Sequence, residues 1–149
     1  MNASILIVDD LPDNVEAFES VLKTYIPGLE IFIADTGLKA LEIATATLPD
    51  VILLDVHMPE MDGFEVCEHL KENPKTADIP VLMVSAFMTK GHHRALGLES
   101  GADGYLCKPF DTAELVAQVR SLIRIKRNED ALRAQRSELE RELDERTNT

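Results

Sequence analysis

The sequence predicts an α/β fold, a doubly wound parallel sheet of five strands with five helices. Short β-branched runs alternate five times with segments of helical apolar spacing, the pattern of repeated strand–helix–strand units. The strand Val51–Leu54 is apolar at every position, as is typical of a strand covered on both faces of its sheet. Hydrophobic residues make up 45% of the 149 residues, enough to bury the core that such a fold needs.

Each predicted element rests on a local signal. The strands are short apolar runs at Ile5–Val8, Glu30–Ala34, Val51–Leu54 and Val81–Val84, with a weaker one at Gly104–Cys107. Helices are predicted by apolar residues spaced three and four apart, in the regions 12–25, 38–44, 64–71 and 90–99 and from Asp111 onward. Pro12 suits a first helical turn. Glu60 and Asp62 are expected to cap the third helix, and Asp111 with Glu114 has the spacing of a capping box.

The fifth predicted helix is unusually long, running without Gly or Pro to about Arg146. A 4-3 pattern continues along it, through Leu122, Ile125, Glu129, Leu132, Arg136, Leu139, Leu143 and Arg146. One interpretation is a solvated, fraying helical tail. The other is a parallel two-stranded coiled coil whose polar seam positions weaken or adjust the dimer.

Composition and charge exclude several classes of protein. The net charge is −12, and so acidic a chain repels phosphate backbones, which argues against nucleic-acid binding. The longest apolar runs are four residues, far short of a membrane span or a secretory signal. Two cysteines form neither a disulfide scaffold nor a metal-binding pattern. We therefore expect a cytoplasmic module with no membrane or nucleic-acid partner.

Polar residues follow the predicted strands at their carboxyl ends, where doubly wound sheets bind ligands. They are Asp9 and Asp10 after the first strand, Asp55 after the third, Ser85 after the fourth and Lys108 after the fifth. Carboxylates brought so close repel each other unless a cation joins them, and hard oxygen ligands favour Mg²⁺. A lysine charge and a serine hydroxyl both suit phosphate oxygens.

This set of groups predicts phosphoryl transfer to a carboxylate. Asp55 is the best nucleophile because it stands alone at a central strand end, whereas Asp9 and Asp10 are better placed to hold the metal. A turnover phosphatase of the haloacid dehalogenase type is disfavoured, since it would carry Asp-x-Asp after the first strand. A flavin carrier is disfavoured because the first loop is acidic rather than rich in Ser, Thr and Gly.

The motifs resemble those of the receiver domain of bacterial two-component response regulators, the CheY-like family. The matching segments are 5–10 (ILIVDD), 55–63 (DVHMPEMDG), Ser85-Ala86 and 101–110 (GADGYLCKPF). Four motifs in order at the predicted strand ends make the resemblance specific, and it covers about residues 3–125. It implies a flavodoxin-like sheet with the strand order 2-1-3-4-5.

The resemblance also implies a role for each residue of the site. Asp55 would accept a phosphoryl group from the phosphohistidine of a histidine kinase or phosphotransfer protein. Asp9, Asp10, Asp55 and the backbone carbonyl of His57 would bind Mg²⁺. A further set would act on the phosphoryl group and the switch: Lys108 would pair with the phosphate, Lys108–Pro109 would be a cis peptide, and Ser85 and Tyr105 would move on phosphorylation. Their movement would change the face formed by the fourth helix, the fifth strand and the fifth helix.

The predicted domain organisation follows from the resemblance and the tail together. Residues 1–125 would form the receiver domain and residues 126–149 a helical coiled-coil extension. This tail is similar to the signalling helices that lead from receivers into kinase, PAS or cyclase modules. We expect the N-terminal part of a longer regulator or hybrid sensor kinase, a phosphoacceptor rather than a turnover enzyme, dimeric through its last helix. The alternative is a stand-alone single-domain regulator that dimerises through the tail and acts by docking on a partner.

Overall fold

A computed structural model describes residues 3–86 and 101–147, and within them the predicted α/β architecture is confirmed. The strands are β1 (Ser4–Val8), β2 (Glu30–Ala34), β3 (Val51–Asp55), β4 (Val81–Ser85) and β5 (Gly104–Cys107). The helices of these ranges are α1 (Pro12–Tyr25), α2 (Gly37–Thr47), α3 (Gly63–Glu72) and a C-terminal helix (Thr112–Thr147). The helix predicted over residues 90–99 lies outside the described residues.

All five strands are parallel in the order β2-β1-β3-β4-β5, as the resemblance implied. Alternate residues of each strand point to opposite faces of the sheet, so each face has its own apolar core. In β1, Leu6 and Val8 face the core under α2 and α3. Ile5 and Ile7 face the core under α1 and the C-terminal helix. The sheet is therefore doubly wound, with helices covering both faces.

The starts of α1, α3 and the C-terminal helix test the N-terminal signals predicted from the sequence. Pro12 opens α1, and Asp62 caps α3 by accepting a hydrogen bond from Glu65 N at 3.0 Å. The prediction that Glu60 also caps α3 is wrong, because Glu60 lies in the preceding loop with a φ of 67°. Asp111 precedes the C-terminal helix and accepts from Ala113 N at 3.1 Å.

The C-terminal helix is continuous over 36 residues, or about 54 Å. Its first part packs into the core through Leu115, Val119 and Leu122. Farther along, the side chains of Leu132 and Leu139 are more than half exposed, at 53% and 59%. The predicted length is confirmed, and the second half of the helix leaves an apolar row open to solvent. No helix within the described ranges combines the length and the apolar character required to cross a membrane.

Candidate phosphoacceptor and metal site

Three carboxylates meet where β1 and β3 end. Asp9 and Asp10 follow β1 directly, and Asp55 is the last residue of the adjacent strand β3. Because parallel neighbours end at the same edge of the sheet, the three side chains converge, and one oxygen of each lies within 4.8 Å of the others. We call Asp9, Asp10 and Asp55 the acidic site, and the edge that carries it the carboxyl edge.

Asp9 is the most buried member of the acidic site, with only 1% of its surface exposed. Its Oδ1 accepts hydrogen bonds from Leu11 N at 3.0 Å and from Asn14 Nδ2 at 3.4 Å. Its Oδ2 is buried without a hydrogen bond to any described residue. Burial raises the pKa of Asp9 above its usual value, and the neighbouring Asp55 charge adds to this, while the Leu11 N–H and Lys108 oppose it.

Lys108 brings a positive charge to the acidic site from the end of β5. Its Nζ lies 3.3 Å from Asp55 Oδ1 and 3.8 Å from Asp9 Oδ2. Its backbone N–H donates to the carbonyl oxygen of Ser85 at 3.1 Å, which ties the β5 loop to the end of β4. The Lys108–Pro109 peptide bond is cis. A cation is thus held against the carboxylate at the end of β3.

The donor set of the acidic site fits a divalent cation. Three carboxylates and the Lys108 ammonium leave an excess of two negative charges among the described groups of the site. Within the described ranges the buried Asp9 Oδ2 lacks a hydrogen bond, although burying a charged oxygen is costly unless it has a partner. Hard carboxylate oxygens are the ligands that Mg²⁺ takes in proteins. The residues present therefore match the predicted metal.

Ser85 and His57 border the acidic site. Ser85, the last residue of β4, is fully buried, and its Oγ lies 3.5 Å from His57 Nε2. The His57 backbone N–H donates to Asp55 Oδ1 at 3.3 Å, so the loop after β3 holds the Asp55 carboxylate. The structure therefore brings Asp9, Asp10, Asp55, Lys108, Ser85 and His57 to one edge of the sheet.

Tyr105 lies apart from these residues, packed against the core under α2 and α3. Its hydroxyl is buried and makes no hydrogen bond within residues 3–86 and 101–147. Burial raises the pKa of Tyr105, with smaller contributions from Cys67 and Asp103. Its backbone carbonyl accepts from Gln118 Nε2 at 2.9 Å, which joins β5 to the C-terminal helix.

Two residues position the site without having been assigned a role from the sequence. Asn14, on the first turn of α1, holds Asp9 by the hydrogen bond given above. A Cβ on Gly63 would lie 2.5 Å from the carbonyl oxygen of Asp55, so only glycine lets α3 start this close to β3. The glycine was visible as the end of the 55–63 motif, but its contact depends on how the loop folds back.

Residues 5–120 match the protein family described as the response regulator receiver domain. The chain is 48% identical to the response regulator PleD of Caulobacter vibrioides over 133 residues, which are 89% of this chain and 29% of PleD. A match of 133 residues in a chain of 149 must extend to at least residue 133, so it includes the first half of the C-terminal helix. The chain spans about half the length of other curated relatives it matches.

Solved structures of similar fold include two receiver proteins. The chemotaxis response regulator CheY4 of Vibrio cholerae is 30% identical, with a TM-score of 0.75, and the match covers 82% of this chain and 99% of CheY4. The receiver domain of the sensor histidine kinase PA1611 of Pseudomonas aeruginosa is 28% identical with a TM-score of 0.75, covering 83% of this chain and 98% of that one. That domain holds a magnesium ion in its active-site cleft.

Proposed function

The chain belongs to the response regulator receiver domain family of two-component systems, and from that premise we propose that Asp55 is its phosphoacceptor. The observation that carries the proposal is the geometry at Asp55. Only 3% of the Asp55 side chain is exposed, and its Oδ1 lies 3.3 Å from the Lys108 ammonium. The donor is a phosphohistidine of a histidine kinase or of a phosphotransfer protein.

The transfer exchanges one phosphorus bond for another. A carboxylate oxygen of Asp55 attacks the phosphorus, the new P–O bond forms, and the P–N bond to the donor imidazole breaks. The released imidazole takes a proton from solvent. Lys108 balances negative charge on the phosphoryl oxygens, and the backbone N–H of His57 orients the carboxylate. Neutralisation of the remaining charge is the chemistry that Mg²⁺ supplies when bound by Asp9, Asp10, Asp55 and the His57 carbonyl.

Ser85 and Tyr105 form the proposed switch. The Ser85 hydroxyl, buried beside the acidic site, would turn toward the phosphoryl group, and Tyr105 would move into the space that Ser85 leaves. The hydrogen bond from Gln118 to the Tyr105 carbonyl supports a route from β5 to the C-terminal helix. The face formed by the predicted fourth helix, β5 and the C-terminal helix would thereby change on phosphorylation.

The proposed acceptor can be tested with acetyl phosphate and Mg²⁺, followed by phosphate-affinity electrophoresis. The wild-type chain is expected to give a shifted band that disappears without Mg²⁺, and Asp55→Asn is expected to give none. Asp62→Asn is the matched control, because it makes the same chemical change in the same loop and asparagine keeps the α3 cap. A shifted band in Asp55→Asn would refute the assignment, as would no band in the wild type with a histidine-kinase donor.

We also propose that the C-terminal helix pairs with the same helix of a second copy as a parallel coiled coil. The support is the row of exposed apolar side chains at heptad spacing, Ile125, Leu132, Leu139 and Leu143. The match to PleD, of which this chain spans 29%, supports the proposal that the chain is the N-terminal part of a longer regulator or hybrid sensor kinase. The alternative is a stand-alone regulator that dimerises through the tail and docks on a partner.

Sedimentation velocity at tens of micromolar tests the dimer. The wild type is expected to sediment as a dimer and Leu139→Asp as a monomer, because a charge in the seam loses its burial. Ser137→Asp, two residues away and off the seam, should leave the dimer intact. A monomeric wild type would remove the coiled coil from the proposal.

A further inference from the structure

The C-terminal helix makes polar contacts with the body of the domain beyond the point where its core packing ends. Arg127 lies 3.8 Å from Asp50 Oδ2, and Arg133 lies 2.7 Å from Asp78 Oδ2. Asp50 precedes β3 and Asp78 lies between α3 and β4, so both stand at the amino ends of the strands. We call this edge, opposite the acidic site, the amino edge. The helix is therefore held there by two loops.

Helix geometry places Arg133 on the face that enters the core. It comes eleven residues after the buried Leu122, which is about three turns, so the two side chains point in nearly the same direction. Leu132 points about 100° away from Arg133, and the exposed apolar row continues on that other side. The helix can thus contact the amino edge on one face and a second copy on another.

The loop that carries Asp78 is held in place by hydrogen bonds from Lys71. Lys71 Nζ donates to the carbonyl oxygens of both neighbours of Asp78, Ala77 at 3.2 Å and Ile79 at 2.9 Å. The same ammonium pairs at 3.0 Å with Asp103, which precedes β5. The carboxylate that meets Arg133 is therefore presented by a loop already fixed to the body of the domain.

We propose that Asp50 and Asp78 form an intramolecular docking site that holds the C-terminal helix against the amino edge as far as Arg133. The receiver body and the helix to Arg133 then form one rigid unit, so the part of the helix held by the body ends at Arg133 rather than at the predicted boundary of 125. The angle of the helix, and with it the direction of the exposed apolar row, is set by this contact. Docking is independent of the proposed phosphorylation, but its effect on a dimer rests on the proposed pairing.

Hydrogen–deuterium exchange of the full chain tests the docking site. Arg133→Glu and Asp78→Arg are each expected to speed amide exchange in residues 126–135 about three- to fivefold, the upper range for an exposed ion pair. The double variant, with the two charges swapped, should return exchange close to wild type. Arg141→Glu is the matched control, since Arg141 pairs with Glu138 on its own helix.

Pairing of two helices would also protect this segment, so the series is repeated with Leu139→Asp added. The fold-change on breaking the docking pair should persist in that background, whatever becomes of the dimer. Unchanged exchange in both single variants would overturn the proposal. So would a double variant that exchanges as fast as either single one. A monomeric wild type that still shows the effect would overturn only the proposed pairing.

Discussion

The two edges of the sheet use aspartates in opposite ways. At the carboxyl edge, Asp9, Asp10 and Asp55 crowd together with Lys108 as their neighbouring cation. At the amino edge, each aspartate of interest has its own partners. Asp50 accepts from Ser4 N and meets Arg127, Asp78 meets Arg133, and Asp103 accepts from Val81 N and from Lys71.

The difference shows how one residue type serves two purposes at the ends of parallel strands. Carboxylates that are paired and hydrogen-bonded stabilise the fold, because their charge is compensated where it lies. Carboxylates brought together with too few cations raise the free energy of the folded chain, and they lower it again only when a cation binds. We expect loss of an aspartate charge to stabilise the fold at the carboxyl edge and loss of an aspartate to destabilise it at the amino edge. Phosphoryl transfer should respond to substitutions at the carboxyl edge and not to those at the amino edge.

The largest effect is expected from Lys108→Met at the carboxyl edge. Loss of the cation 3.3 Å from Asp55 should slow labelling by acetyl phosphate about 100-fold. Removal of one group that stabilises charge in the transition state typically lowers a rate by about that factor. Lys39→Met is the control, since Lys39 pairs only with exposed Asp35 in the contacts described. Labelling at the wild-type rate would show that Lys108 has no part in the transfer.

Asp103→Ala at the amino edge should act on stability instead. Its Oδ2 accepts from Val81 N at 2.9 Å and Lys71 Nζ at 3.0 Å, and the variant leaves a strand N–H without its partner. A loss of about 2 kcal/mol is expected, or about 4–8 °C in Tm, measured by thermal unfolding. Asp35→Ala, at an exposed ion pair, should change little. A changed rate of labelling by acetyl phosphate in folded Asp103→Ala would contradict the assignment of phosphoryl transfer to the carboxyl edge alone.

Asp9→Asn should stabilise the protein in the absence of divalent cations, by about 1 kcal/mol at neutral pH. The folded-state pKa of Asp9 is raised, so its charged form is disfavoured on folding, and the penalty is complete only above that raised pKa. The advantage of the variant should shrink as the pH falls and vanish below the ordinary aspartate pKa. Adding Mg²⁺ should raise the Tm of the wild type but not of the variant. A less stable Asp9→Asn would contradict this account of the acidic site.

The smallest effect is expected from Asp50→Asn. The asparagine oxygen can still accept from Ser4 N, at 2.9 Å in the wild type, so only the 3.8 Å contact with Arg127 loses its charge. Urea unfolding should show a change below about 0.5 kcal/mol, whereas Asp50→Ala, which also removes the acceptor, should cost about 1 kcal/mol. Equal losses in the two variants would mean that charge, rather than the hydrogen bond, governs this position.

The sheet could be predicted from the sequence because its signals are local. The strands Glu30–Ala34 and Gly104–Cys107 have the predicted bounds, and the other three begin or end one residue away. The carboxyl edge followed from the same reasoning, since knowing where parallel strands end is enough to bring Asp9, Asp10 and Asp55 together.

The contacts of the amino edge could not be predicted in this way. Arg133 and Asp78 are 55 positions apart, and Lys71 and Asp103 are 32 apart. Pairing them requires the rotation of one helix and the path of one loop, which apolar spacing does not specify. Glu60 was misassigned for a similar reason, because composition favours an acid near a helix start without saying which acid the loop delivers there.

The uninterrupted C-terminal helix converts small angles into large displacements. From Arg133 to Thr147 it extends about 21 Å, so a tilt of about 10° at Arg133 would carry Thr147 sideways by about 4 Å. That distance approaches the rise of a full helical turn, about 5.4 Å. A small change in the angle at which the amino edge holds the helix would therefore appear at Thr147 as a change of position that another protein surface can distinguish.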